Sequence, residues 1–189
     1  MTAALAGPQE VIPQRIPVQG VGAVVDDLAS PFPGRQATQI GPFGDPAMLM
    51  HGMDLDTRTG TLYALSSHDG GLYTIDKANG NAVLVGLTGI TNLGSFGQLG
   101  FDSDHGVMYA TNSLTDNLYR LDLATGATTL VGPMGGGVAS ISAMAYNIDN
   151  HTMYMIENNT TISKLYTVNL TTGGATFVGN AGMANLICL

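Results

Sequence analysis

LYTIDKANGNAVLVG (72–86) returns as LYRLDLATGATTLVG (118–132) and again as LYTVNLTTGGATFVG (165–179). The first half of each phrase alternates with period two: Tyr119 and Leu121 face one way, Arg120 and Asp122 the other. That is the pattern of a half-buried strand. Asn-Gly or Thr-Gly then supplies a hairpin turn, and a run rich in β-branched residues closes on Val-Gly as a second strand. The phrase is therefore a hairpin written three times.

Other landmarks keep the same period. Gly41, Gly86, Gly132 and Gly179 end equivalent phrases at spacings of 45, 46 and 47 residues. Tyr63, Tyr109 and Tyr154 follow at 46 then 45, and Tyr73, Tyr119 and Tyr166 at 46 then 47. Three landmarks on one period mark an internal duplication. Residues 88–133 show one whole period: a small-residue apolar strand GSFGQLGFD (94–102), a DSDHG turn, VMYAT (107–111), NLYRLDL (117–123), ATG, and ATTLVG (127–132). No stretch has convincing helical periodicity.

Four antiparallel strands in about 45 residues is the size of a β-propeller blade. Such a sheet is apolar on both faces and needs a neighbour on each side. The sequence thus predicts an all-β chain forming a β-propeller of about four blades of four antiparallel strands. Three blades cover 41–87, 88–133 and 134–179. A fourth is expected to be shared between the ends, from 10–40 plus 180–189. VGAVVDDLASPFPGRQATQIG (21–41) reads as its third and fourth strands, with a turn lengthened by Pro31, Phe32 and Pro33. GMANLICL (182–189) matches the start of an inner strand. A monomeric closed ring is expected. A homodimer forming an eight-bladed ring and a fragment with open edges remain the alternatives.

The phrases, each preceded by a D-x-D turn, resemble the blades of bacterial extracellular β-propeller repeat proteins of the YVTN/PQQ-like type, with their LYxIDxxTGxxTxVG phrases. The resemblance covers about residues 41–179 and implies a fold rather than an activity. The chain has no Trp, so the tryptophan motifs of several propeller families are absent.

Composition narrows the function. Fourteen acids face six bases, for a net charge of −8. The bases are scattered, so no clustered cation surface exists for phosphate, which excludes nucleic acid as an expected partner. No run of 18 apolar residues is present, so no membrane insertion is expected. Cys188 is the only cysteine, so no intrachain disulfide forms. The Thr-, Asn- and Gly-rich, Lys-poor surface suggests a secreted, periplasmic or particle- or cell-surface protein, although MTAALAGPQE lacks the basic and apolar regions of a signal peptide.

Few residues have the spacing of a chemical site. Asp54-Leu-Asp56 before Gly60 and Asp102-Ser-Asp104 before Gly106 have a superficial likeness to calcium loops. They lack the further oxygens and the bidentate Glu such a loop requires. The third copy reads Asn147-Ile-Asp149, with Thr152 in the glycine's place, so structural turns are the plainer reading. Met48, Met50, Met53, Met144 and Met183 fall in or beside expected inner strands, with His51 among them, a ligand set that suits Cu(I). Gap-filling in a crowded core is the simpler use of methionine. The metal candidates are therefore His51, Met50, Met53, Asp54, Asp56, Asp102 and Asp104. His105 and His151 sit at equivalent turns and are expected to face solvent on separate blades.

Ser67-His68-Asp69 is contiguous, and GPMGGG (132–137) lacks the helix and Lys of a phosphate loop, so no catalytic residue and no cofactor is assigned. Departures from the repeat are the better guide. SSHDGG (66–71), NSLTDN (112–117) and ENNTTISK (157–164) vary and should lie on one face of the ring. His68, Asp69, Asp116, Asn117, Asn158 and Asn159 are the candidates for a binding face. The expected function is a non-enzymatic structural or interaction module that displays loops to a protein or glycan. The alternative is an enzyme or metal-binding propeller, with copper or calcium in its axial channel.

Overall fold

The computed structural model describes residues 39–44, 48–90 and 97–187. Twelve strands form three four-stranded antiparallel sheets, each a simple meander. The first holds β1 (Met50–Asp56), β2 (Thr61–Ser66), β3 (Gly71–Ile75) and β4 (Ala82–Leu87). The second holds β5 (Leu99–Asp102), β6 (Val107–Asn112), β7 (Asn117–Leu121) and β8 (Thr128–Pro133). The third holds β9 (Ile141–Asn147), β10 (Thr152–Glu157), β11 (Lys164–Val168) and β12 (Ala175–Asn180). No helix occurs among the described residues, and hence none that is long and apolar enough to cross a membrane. The quoted phrase is the β3–β4, β7–β8 or β11–β12 hairpin. It carries the same register slip each time, at Leu72/Tyr73, Leu118/Tyr119 and Leu165/Tyr166.

Burial follows the two-faced character of the strands. One core joins the first two sheets, with Tyr63, Leu65 and Leu72 against Leu99, Phe101, Met108 and Leu121. The next joins the second and third, with Tyr109 and Leu118 against Ile141, Met144, Met153 and Tyr166. Leu72 and Leu118 are fully buried, and each such leucine contributes about 1.5–3 kcal/mol. The inner strands β1, β5 and β9 pack in succession. Small residues permit it: a Cβ on Gly52 would come 2.7 Å from Leu99 N, and one on Gly100 would come 2.9 Å from Met144.

A second contact joins the sheets at their outer rim. A Cβ on Gly86 would lie 2.0 Å from Thr125 O, and one on Gly132 would lie 2.2 Å from Thr172 O. The phrase-ending glycine of one sheet thus rests on the Thr-Gly turn of the next, whose own glycine needs positive φ (Gly126 78°, Gly173 83°). Gly41 makes the same contact with Asn79 and Gly80 ahead of the first sheet. Gly179 has nothing within 4 Å of its Cβ position.

The third sheet is less covered than its predecessors on the corresponding face. Tyr63 and Tyr109 are buried and Tyr154 is half-buried; Leu72 and Leu118 are buried and Leu165 is half-buried. Val85 and Val131 pack against the cores, whereas Val178 is 52% exposed. The three described sheets therefore form an arc that does not close. The N-terminal part of the expected shared blade, up to residue 38, lies outside the described residues. Its C-terminal part, from 181 to 187, contains no strand. That segment instead returns over the third sheet: Ser163 N donates to Met183 O, and Ser142 Oγ on β9 donates to Leu186 O at 2.7 Å.

Candidate functional site

The β1–β2, β5–β6 and β9–β10 turns share one end of the arc and are built on one Asx side chain each. Asp56 Oδ1 accepts from Arg58 N (2.9 Å), Asp102 Oδ1 from Asp104 N (3.0 Å), and Asn147 Oδ1 from Asp149 N (2.8 Å). These bonds equate Asp56 with Asp102 and Asn147. The D-x-D likeness pairs Asp54 with Asp102, two residues out of register. Asp54 does different work: its Oδ2 accepts from Phe101 N of the second sheet at 2.7 Å. Burial raises its pKa against the pull of its Leu55 and Phe101 backbone bonds. The glycine of the turn, Gly60 or Gly106, has its third-copy equivalent in His151 rather than Thr152. His151 holds φ 54°, in the left-handed region that glycine favours.

Successive turns touch across each seam. Between the first two sheets, Arg58 Nη1 donates to His105 O. Between the second and third, Asp104 takes the place of Arg58. Its Oδ2 accepts from Tyr146 Oη at 2.6 Å and from His151 Nδ1 across the seam. His105 Nδ1 stands 2.7 Å from Asp102 Oδ2 on the same turn. The two histidines sit on different sheets and are largely exposed, as expected, and both also line one groove.

That groove has a volume of about 630 Å³ and is walled by Asp102, His105, Tyr109, Tyr146, His151 and the Asn169–Thr171 turn. Its counterpart at the first seam, about 690 Å³, carries Arg58 and Arg120 and no histidine. Hydrogen bonds from Tyr146 and then His151 hold the Asp104 carboxyl below its usual range. The same bond to Asp104 pushes the Tyr146 hydroxyl far above its own. Asp104 is therefore a carboxylate with its acceptors in use, and Tyr146 is a fixed, un-ionised phenol.

The loop candidates lie at the opposite end. His68 is exposed. Asp69 accepts from Tyr73 Oη and from Gly71 N, and its pKa falls: burial works against the shift, and the Tyr73 and Gly71 bonds outweigh it. Asp116 is half-buried at φ 51°, and its Oδ1 is enclosed with no hydrogen-bond partner. Burial, and then the charge of Glu157, raise its pKa. Asn117 and Asn158 are half-buried, and Asn159 Oδ1 accepts from Thr161 N. Glu157, the first residue of ENNTTISK, is 4% exposed and accepts from Tyr166 Oη (2.7 Å) and Lys164 Nζ (3.2 Å).

The metal candidates do not converge. Met50 packs beside Ala64, Tyr73 and Ile75; Met53 is exposed; Asp56 and Asp102 are buried in separate turns. His51 lies in the bulged part of β1. Among the described residues no three His, Cys, Asp or Glu side chains group as metal ligands.

No protein-family model matches the chain, and no curated protein matches it. Solved structures do. One is a nidogen/laminin complex, with a TM-score of 0.60 at 10% identity over 76% of this chain and 52% of that one. A virginiamycin B lyase from Staphylococcus aureus gives 0.54 at 14% identity, over 74% and 44%. A Bacteroides thetaiotaomicron protein of unknown function gives 0.51 at 19%, over 72% and 32%. The chain spans about half or less of each. At these identities the likeness concerns the fold alone, which is that of β-propeller proteins.

Proposed function

We propose that the chain is a non-enzymatic interaction module, a small β-propeller of four blades that binds neutral glycan in the groove between its second and third blades. The seam carries this reading. Of the two described grooves, it is the one lined by imidazoles, His105 and His151, beside Asp102, Tyr109 and Tyr146. Carboxylates accept and imidazole and phenol groups donate, which suits a polyol, and Tyr109 and Tyr146 supply flat apolar surface. Asp104 is already engaged by Tyr146 and His151, and Asp102 by two backbone N–H groups and His105. Carboxylates so occupied favour a rigid platform over proton transfer. A net charge of −8 disfavours sulfated or sialylated chains. A neutral surface glycan as ligand goes with a secreted, periplasmic or surface setting.

The test is a glycan microarray followed by calorimetric titration of the strongest hit. The wild-type chain is expected to bind saturably, with affinity at least about tenfold weaker in Tyr146→Ala. Absence of saturable binding, or equal binding by Tyr146→Ala, would overturn the reading.

A further inference from the structure

The loop ends of the two described seams share a plan. In the loop before each seam a backbone oxygen accepts from the connection that leads to the next sheet: Gly70 O from Thr88 N at 3.0 Å, and Asp116 O from Met134 N at 2.8 Å. Gly70 and Asp116 both hold positive φ, 70° and 51°. The next sheet's second strand ends on a buried polar residue, Asn112 at the first seam and Glu157 at the second. Two neutral residues at one seam are therefore two acids at the other.

Two carboxyl groups set close together at a seam repel when both are ionised. Glu157 has donors to meet its charge, Tyr166 Oη at 2.7 Å and Lys164 Nζ at 3.2 Å. Asp116 Oδ1 has none: it is enclosed without a hydrogen-bond partner, on a residue whose left-handed backbone already disfavours a side chain. Burial, and then the charge of Glu157, raise its pKa. Among the described residues, the charged or titratable groups at this place are Glu157 on β10 and its two donors, Lys164 and Tyr166, on β11. The connection GPMGGGVAS (132–140), which carries Met134, has none.

We infer that Asp116 and Glu157 form a proton-operated latch at the loop end of the second seam. An un-ionised Asp116 holds the seam closed beside the charged Glu157, and loss of its proton loosens the Asp116–Met134 contact. The latch lies at the opposite end of the arc from the glycan groove and does not depend on that reading. Because the folded pKa of Asp116 lies above the unfolded one, the latch stabilises fully below about pH 4 and weakens as pH climbs through the folded value.

Amide hydrogen exchange of the full chain from about pH 4 to about pH 8 tests this, with the first seam as internal control. The protection factor of the Met134 amide is expected to fall about tenfold across that range, as a pKa raised by about one unit requires. That of Thr88 is expected to stay level, since Gly70 and Asn112 carry no charge and the neighbouring Asp69, with its lowered pKa, is ionised throughout. Asp116→Asn, a neutral side chain of the same shape, should hold Met134 level as well. Equal profiles at Met134 and Thr88 in the wild type, or an undiminished fall in Asp116→Asn, would overturn the inference. The carboxyl carbon NMR shift of Asp116 reads the proton without any variant. Its midpoint is expected above the ordinary carboxylate value, and a midpoint at or below that value would also overturn the latch.

Discussion

His151 stands where two earlier turns carry glycine, and the residue is held there by a neighbour rather than by its own preference. At φ 54° a side chain is disfavoured, and Asp104 offsets this with a hydrogen bond across the seam. His151→Gly should therefore cost little, because it trades one contact for backbone relief. His151→Ala should be about 1 kcal/mol less stable than His151→Gly in urea unfolding, since it keeps the strain and loses the partner. The acid side follows from Asp104, whose folded pKa is lowered by Tyr146 and His151. Its stabilisation is present above the unfolded carboxyl value and fades as pH falls through the folded one. Asp104→Asn should flatten that part of the acid-unfolding curve. Tyr166 gives the alkaline counterpart. Burial and Glu157 push its pKa up to about 12, so its contribution is complete below the unfolded value near 10 and is lost as pH climbs through 12. Tyr166→Phe should remove that alkaline dependence in a pH-jump denaturation series.

At the scale of the element, the turns show what a sequence can and cannot disclose. Turn chemistry was legible because Asp and Gly at fixed offsets have few other uses. The register was not. Asp54-Leu-Asp56 and Asp102-Ser-Asp104 look alike, yet only the backbone bonds reveal that Asp56, and not Asp54, is the partner of Asp102. A strand read by eye can slip by two residues and keep every side chain on its face. The corrected register makes a graded prediction. Asp102→Ala removes the acceptor for Asp104 N, His105 N and His105 Nδ1 from a site that is 2% exposed, and should cost about 2–3 kcal/mol. Asn147→Ala removes the bond to Asp149 N on an exposed turn and should cost about 1 kcal/mol or less, measured by the same unfolding assay.

At the scale of the molecule, the 46-residue period disclosed the number and order of the described sheets, because each strand's alternation is local. The groove at the second seam was hidden. It is made by Asp104 from one unit's turn meeting Tyr146 and His151 of the next, 42 and 47 residues away, and no pattern within one unit registers that meeting. The expected shared blade lies outside the described residues up to 38, where Pro31, Phe32 and Pro33 depart from the phrase. Hydrogen exchange should rank the sheets by the cover they receive. Amides of β6 and β7, flanked on both sides, are expected to be the slowest, and those of β12 the fastest among strands. Uniform protection across the three would contradict the packing order. The rim contact also bears on how such a chain could arise. It is made by main-chain atoms and two glycines, so it asks almost nothing of neighbouring side chains. A tandem gene duplication would carry both halves of the joint with it, and the daughter segment could diverge in chemistry while still fitting its siblings.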